Sequence, residues 1–216
     1  MAKKAASAAT MITISPPNLK VAEFTIEGTA PLVQSKFSYK SQREMMMTQQ
    51  AGSTAGKGKQ RTAKDFDTLY QEAMHDGGGW RGIPAPAFRN ALISACRVCG
   101  FAMTRAKLSV FVLADGYDIN DKTALVKITK GKPQKHVQTV RNASGVCDLR
   151  SQAMWEPGWQ CKVRVRFDAD QFTLADVANL LMRAGIQVGV GCGRPDSKDS
   201  CGLGYGTFQI LNQKEA

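Results

Sequence analysis

Alternation of apolar and polar side chains predicts the strands of this chain, most clearly in residues 161–167. Three apolar side chains there share one face of an extended backbone and three cations share the other, since successive side chains of a strand point to opposite faces. The cations are Lys162, Arg164 and Arg166. One side of this strand is therefore expected to pack on a core while the other presents strong positive charge.

Shorter runs of β-forming residues bounded by Gly and Pro predict further strands. They cover residues 21–27, 108–113, 125–129, 186–190 and 207–211, and residues 136–141 are expected to be extended.

Apolar positions at helical spacing predict three helices. They cover residues 65–74, a stretch that begins near Pro86, and residues 173–184. Pro suits the first turn of a helix because its missing N–H has no partner there anyway. Thr173 and Asp176 have the spacing of a capping box, and Gly185 is expected to end the third helix.

The order of these elements favours an α+β fold, with two core helices packed on an antiparallel sheet of the ferredoxin-like, RRM-like type. RNA-recognition modules use that topology to present side chains to bases. Residues 1–17 are expected to form a flexible tail and residues 18–212 a single domain. Residues 114–160 would be an insertion.

Residues 40–64 form a second expected insertion, a basic loop. This stretch holds six cations against the single acid Glu44, and its repeated Gly and Lys provide little apolar surface to bury. The cations are Lys40, Arg43, Lys57, Lys59, Arg61 and Lys64. The loop is expected to be mobile and to order on a partner; the alternative is a solvated linker.

A glycine-rich loop lies between the last two predicted strands. Its glycines, which can adopt positive φ and allow close approach of another chain, are Gly189, Gly191, Gly193, Gly202, Gly204 and Gly206. With Arg194 and Lys198 inside the run, it is a candidate cradle for phosphates. It fits neither a Walker loop nor a dinucleotide fingerprint, because no helix follows it. The alternative is a glycine hairpin without a ligand.

The net charge of +11 indicates a polyanionic partner. No apolar run reaches the roughly 18 residues of a membrane span, and no basic amphipathic helix supports a membrane surface. The six cysteines lack zinc-ligand spacing and are expected to be buried free thiols. We expect no metal, no cofactor and no enzymatic activity. The scattered acids Asp115, Asp118, Asp121 and Asp148 are typical turn formers.

The candidate phosphate contacts are Lys57, Lys59, Arg61, Arg89, Arg141, Arg164, Arg166, Arg194 and Lys198. The candidate stacking residues are Phe37, Tyr39, Trp80, Trp155 and Tyr205. The alternative for each group is a solvated surface charge or a core ring.

Three segments together resemble the RAMP superfamily, the repeat-associated RNA-binding proteins of CRISPR effector complexes. They are the end of the first strand at residues 28–32, the helix start at residues 82–97 and the glycine loop at residues 189–206. The resemblance implies RNA binding on a ferredoxin-like fold. Cleaving members carry an Asp soon after the first strand, and residues 32–38 hold no acid, which argues against metal-assisted cleavage here.

The helix start also departs from the RAMP pattern, with Ala85, Pro86 and Asn90 at positions where the family favours Gly and Ser. Uncharacterised tailed-phage proteins are similar as well. They share the pattern of residues 140–150 and an Arg-Pro pair inside the glycine loop.

Three functions follow as hypotheses. The first is a protein that coats single-stranded DNA or RNA, assembles as a homo-oligomer or filament, and acts in phage DNA replication or recombination in the host cytoplasm. The second is a guide-RNA-binding backbone subunit of a CRISPR-like complex. The third is a structural or inhibitory protein that binds an acidic protein.

Overall fold

The computed structural model describes residues 15–50, 64–141, 145, 147–197 and 202–215. The strands are β1 Leu19–Gly28, β2 Leu32–Gln34, β3 His75–Asp76, β4 Arg81–Pro84, β5 Val110–Leu113, β6 Gly116–Tyr117, β7 Ala124–Lys130, β8 Pro133–Arg141, β9 Cys147–Trp155, β10 Gln160–Asp168 and β11 Phe208–Glu215. The helices are α1 Tyr39–Gln50, α2 Phe66–Glu72, α3 Ala85–Cys99, α4 Met103–Ser109 and α5 Leu174–Arg183, which continues into one π-helical turn, Ala184–Val188.

The larger sheet contains the ferredoxin-like core. The core elements follow one another as β1, α3, β5, β10, α5 and β11, and their strands lie in the order β11-β1-β10-β5 with every pairing antiparallel. This is the β-α-β-β-α-β arrangement that the sequence predicts, so the α+β fold class is confirmed. Beyond β10 the sheet continues through β7 and β4 to β3.

The hydrophobic core lies between this sheet and the helices α3 and α5. Alternate side chains of the two central strands are fully buried, among them Phe24 and Ile26 of β1 and Val163 of β10. Phe88 of α3 stacks edge-to-face on Phe208 of β11, with ring centroids 5.9 Å apart. The Thr173–Asp176 capping box that begins α5 is present as predicted.

A second, three-stranded sheet has the order β2-β9-β8. Strands β8 and β9 follow β7 and precede β10 in the sequence, and they pair with each other as a long hairpin. They belong to the expected insertion 114–160, for which the sequence predicted no strand pairing. Helix α2 packs on it: the Ser151 hydroxyl donates to the Phe66 carbonyl at 2.7 Å, and the Tyr70 hydroxyl donates to the Pro133 carbonyl at 3.0 Å.

Three predictions of local structure are wrong. Residues 186–190 are not a strand, and Gly185 does not end the helix, because α5 runs on as a π turn beside β11. A Cβ at position 185 would lie 2.2 Å from the Phe208 carbonyl oxygen, so the glycine allows this close passage. Residues 108 and 109 likewise belong to α4 rather than to a strand.

The predicted basic loop 40–64 is also corrected in part. Residues 40–50 are helical in α1, and α1 exposes three consecutive methionines, Met45, Met46 and Met47. Residues 51–63 lie outside the described residues.

The glycine loop packs against β2 and the residues just before it. The N–H of Gly206 donates to the Pro31 carbonyl at 2.7 Å, and the N–H of Cys192 donates to the Val33 carbonyl at 2.8 Å. Within the loop, the N–H of Val190 donates to the Gly206 carbonyl at 2.9 Å. These bonds make close backbone packing a sufficient reason for several of its glycines.

We expect Gly206→Ala to destabilise the fold more than Gly204→Ala. Both positions have positive φ, +68° and +75°, which disfavours alanine by about 1–2 kcal/mol. Only at 206 would the new Cβ also meet backbone, 1.7 Å from the Val190 carbonyl oxygen, whereas position 204 is open. Overpacking adds about 1–3 kcal/mol. Denaturant unfolding followed by tryptophan fluorescence measures both changes, and equal losses would contradict this account of the loop.

Candidate nucleic-acid interface

The face of the large sheet that turns away from α3 and α5 is open to solvent and carries a concentration of cations. We call it the open sheet face. Its defining residues are Trp80, Phe111, Lys127, Lys130, Lys162, Arg164 and Arg166. In the strand register Arg164 lies opposite Leu113 of β5 and Arg166 lies opposite Phe111, so β5 adds an aromatic ring to the cation row of β10.

Trp80 reaches this face because glycines make room for its indole. Gly82 pairs with Lys127, and a Cβ on Gly82 would lie 2.9 Å from the Trp80 ring. A Cβ on Gly116 of β6 would meet the same ring, also at 2.9 Å. The indole therefore covers the fully buried Leu125 on the side of the sheet from which Lys127 projects.

The expectation of a strongly positive strand needs correction, because carboxylates accompany three of the cations. Lys162 lies 3.7 Å from Glu23 of β1, and Lys130 lies 4.0 Å from Glu27 of the same strand. Arg164 bonds to Asp115 at 2.9 Å. These pairs are part-exposed, so each adds little stability, but together they offset three of the five positive charges of the face.

Two cations of the open sheet face, Lys127 and Arg166, are not part of these ion pairs. Among the described residues no carboxylate lies within 4 Å of the Lys127 ammonium or the Arg166 guanidinium, although the backbone N–H of Lys127 donates to Asp115 at 2.8 Å. The guanidinium carbon of Arg166 lies 5.1 Å from the Phe111 ring centroid, and its buried Nε has no hydrogen-bond partner in the same part of the chain.

Three of the sequence-predicted site residues, Trp80, Arg164 and Arg166, are thus brought onto one face. Arg89 lies at the edge of the sheet, where its Nε donates to the Val110 carbonyl at 3.0 Å. Phe111 and Lys127 are additions that the sequence reasoning missed. Phe111 stood inside an apolar run that reads as core, while Lys127 alternates with Val126 and Ile128 and could have been found.

Other predicted residues lie elsewhere. Arg194 and Tyr205 belong to the glycine loop, where Arg194 donates to the Gly191 carbonyl at 3.2 Å and the Tyr205 ring packs beside Gly193. Trp155 is fully buried in the core, so its prediction as a stacking residue is wrong. Phe37 is exposed, and Tyr39 accepts a hydrogen bond from Lys36.

Several candidates lie outside the described residues. They are Lys57, Lys59, Arg61 and Lys198. Arg141 is the last residue of β8, and its side chain lies outside the described part of the structure.

A buried ionic network lies between the two sheets. The Lys36 ammonium donates to Asp118 at 2.7 Å, to Tyr39 at 2.7 Å, and contacts Asp121 at 2.9 Å. Asp118 is fully buried and also accepts the N–H of Asn120 at 2.9 Å. This network joins the end of β2, the start of α1 and the turn after β6.

The network shifts the pKa of Lys36, Asp118 and His75. Burial opposes the charge of Lys36, but its hydrogen bonds to Asp118, Tyr39 and Asp121 outweigh that and raise its pKa above the usual range. Burial likewise opposes the charge of Asp118, yet the bond from Lys36 prevails and lowers its pKa to about 2. Burial and the Lys36 charge lower the pKa of His75, whose Nδ1 lies 3.2 Å from Asp118.

His75, Asp118 and Asp121 are one set of possible metal ligands, with donor atoms within 4.8 Å of one another. The Lys36 ammonium contacts both carboxylates, so a lysine already offsets part of their negative charge. The two other scattered aspartates go to cations elsewhere, Asp115 to Arg164 and Asp148 to Lys64. The four acids therefore do not converge on one centre.

The described cysteines are free, as expected, but not all are buried. Cys96 and Cys161 are buried, and burial raises the pKa of both thiols. Cys99 and Cys147 are exposed. In the described part of the chain no helix is both long enough and apolar enough to cross a membrane.

Comparison with known proteins supports the fold. No family model matches the chain, and no curated protein matches it. Among solved structures, a chain of the Type III-B Cmr-beta complex bound to cognate target RNA is similar, with a TM-score of 0.51 at 10% identity. The match covers 91% of this chain and 60% of that one. The chain therefore shares a fold with a chain of this RNA-bound complex.

Loss of the Lys36 ammonium should destabilise the protein strongly near neutral pH. We expect Lys36→Met to lower the free energy of unfolding by about 3–5 kcal/mol, since Asp118 is left as an unpaired buried charge. Because the native pKa of Asp118 is depressed, its contribution is complete above the usual value of 3.8 and is lost as pH falls toward 2. The deficit of the variant should therefore shrink on the acid side.

Denaturant unfolding at several pH values between about 7 and 2 measures this difference. Lys36→Met with Asp118→Asn is the matched control, since it removes both charges and should be less damaging than the single change. A deficit that is independent of pH would show that Lys36 acts through packing and not through its charge.

Proposed function

We propose that this protein binds single-stranded nucleic acid, DNA or RNA, along the open sheet face. One observation carries the proposal: a ferredoxin-like sheet presents five cations and two aromatic rings on the face opposite its helices. Phe111 on β5 and Trp80 next to β4 both lie on the side of the cation row that faces away from β1. The shared fold with a component of an RNA-bound complex is consistent with it.

The chemistry of the face suits a backbone-tracking mode of binding. Lys127, Lys162 and Arg164 are placed to meet successive phosphates, and displacement of counterions would make affinity depend on salt. Trp80 offers a ring for base stacking, which contributes about 1–3 kcal/mol per base and tolerates any sequence. The side chains of this face therefore favour binding without sequence preference.

Assembly along the strand belongs to the same proposal. The sheet ends at β3 on one side and β11 on the other, and such edges can pair with another chain. The exposed methionines of α1 offer an adaptable apolar surface in addition. A coat protein of a phage, acting in replication or recombination in the host cytoplasm, is the role we favour.

The main alternative is a guide-RNA-binding subunit of a CRISPR-like complex. The neighbour's place in a complex bound to target RNA favours it, and it would require a repeat-derived RNA and partner subunits. Binding to an acidic protein remains the alternative of a different class. We propose no catalytic role, because Asp115, Asp118 and Asp148 each pair with a lysine or arginine.

We expect Lys127→Ala combined with Lys162→Ala to weaken binding about tenfold to hundredfold at low salt. The dependence of log K on log salt should become shallower by about 1.4, since each phosphate contact on a single strand contributes about 0.7. Fluorescence anisotropy with labelled single strands of about 40 nucleotides, of DNA and of RNA, measures both quantities across a salt series.

The matched control is Arg97→Ala combined with Arg183→Ala, which removes the same charge from the helix side. One member of each pair has a carboxylate partner, Glu23 for Lys162 and Asp196 for Arg97. Equal weakening by both double variants would show that only net charge matters and would remove the open sheet face from the proposal. Failure of the unaltered protein to bind any strand at low salt would refute nucleic-acid binding itself.

A further inference from the structure

Two arginines converge on one aromatic ring at the β5 edge of the open sheet face. The guanidinium carbon of Arg166 lies 5.1 Å from the Phe111 ring centroid, and that of Arg89 lies 5.0 Å from the same centroid. The two charges are therefore at most about 10 Å apart. Arg166 comes from the neighbouring strand, whereas Arg89 comes from α3 on the other side of the sheet.

Arg89 is held in place by backbone carbonyls. Its Nε donates to the Val110 carbonyl at 3.0 Å, and one terminal nitrogen donates to the Lys107 carbonyl. Through these bonds Arg89 connects α3 to the end of α4 and to the start of β5. A guanidinium that is fixed in this way loses little further freedom when it binds a ligand, which favours affinity.

Neither arginine is neutralised by the fold. Among the residues that the structure describes, no carboxylate lies within 4 Å of either guanidinium, in contrast to Arg164 and Lys162 on the same face. The Nε of Arg166 is buried and lacks an acceptor there as well. Buried donors are nearly always paired, so this one indicates an acceptor that the chain itself does not supply.

We propose that Arg89, Phe111 and Arg166 form a binding site for one phosphate group. Phe111 orients the two guanidinium groups, and the phosphate oxygens accept hydrogen bonds from both and relieve the repulsion between them. In this role Phe111 supports the arginines and does not stack on a base. The inference rests on the proposed function as far as the phosphate is that of a nucleic-acid strand, while a free or terminal phosphate would use the same groups.

The probes are inorganic phosphate, a 5′-phosphorylated dinucleotide and the same dinucleotide without its 5′-phosphate, which keeps only the internal phosphodiester. The Nε–H resonance of Arg166, observed by NMR at constant ionic strength, reports occupation of the site. We expect a saturable shift with both phosphate probes and a smaller one with the unphosphorylated dinucleotide. A shift that chloride reproduces would overturn the site, since it would reflect screening alone.

Two variants test the role of each part. Arg166→Gln should weaken binding of a labelled single strand about tenfold more than Lys162→Gln, a matched loss of one charge from the same strand and face. Phe111→Leu leaves the net charge unchanged, yet it should also weaken strand binding and abolish the saturable shift. Thermal unfolding of each variant checks that the fold is retained.

The outcomes separate this inference from the proposed function. If the single strand binds and Arg166→Gln behaves like Lys162→Gln, the phosphate site is wrong and nucleic-acid binding stands. If inorganic phosphate shifts Arg166 while no strand binds, the site stands and nucleic-acid binding is wrong. Phe111→Leu with unaltered binding of both probes would show that the ring does not orient the arginines.

Discussion

The structure depends on the two-sidedness of one strand, β10. This strand pairs with β1 along its length on one edge, and with β7 and then β5 on the other. Its inward side chains fill the core beneath α3 and α5. They are Cys161, Val163, Val165 and Phe167. A period of two residues then forces every intervening side chain onto the open face. Core packing therefore fixes the cations in one row.

The second sheet is attached to this framework by interactions of several kinds. Leu32 of β2 and Trp155 of β9 are buried in the shared hydrophobic core, and the Lys36–Asp118 pair and the backbone bonds of the glycine loop add to this apolar contact. A buried pair is costly to break because the remaining charge stays unpaired. Backbone bonds between close segments demand glycine at positions such as 191 and 206, where a Cβ would meet a carbonyl oxygen. These interactions fix the second sheet at positions that apolar packing alone would leave less precisely defined.

Local periodicity made the core predictable from the sequence. The alternation of residues 161–167 and the capping box at Thr173 are short-range signals, and both agree with the structure. The end of α5 was not predictable in the same way, because Gly185 stops a helix in isolation but here lets the backbone pass Phe208. That contact joins residues far apart in sequence, and no local pattern contains it.

The candidate site was predicted less completely for a similar reason. The cations of β10 were visible, but their neighbours across the sheet were not, and Glu23 and Glu27 sit on the strand that pairs with them. Their alternation with Phe24 and Ile26 was a usable signal that this strand turns its acids outward. Trp80 joins the face only because Gly82 and Gly116 leave space for its ring, which is a property of three strands at once.

The mixture of positive and negative charge on the open sheet face affects how a nucleic-acid strand would bind there. Glu23, Glu27 and Asp115 limit the positive field, so cations with acid partners must exchange a carboxylate for a phosphate and gain little in doing so. The Lys127 ammonium and the Arg166 guanidinium form no ion pair among the described residues, although Asp115 accepts the backbone N–H of Lys127. Binding free energy would therefore concentrate at the two unpaired positions, with the paired cations setting the path between them. A surface of this kind favours binding of a nucleic-acid strand at few points, with ready release, over tight binding along the whole length of that strand.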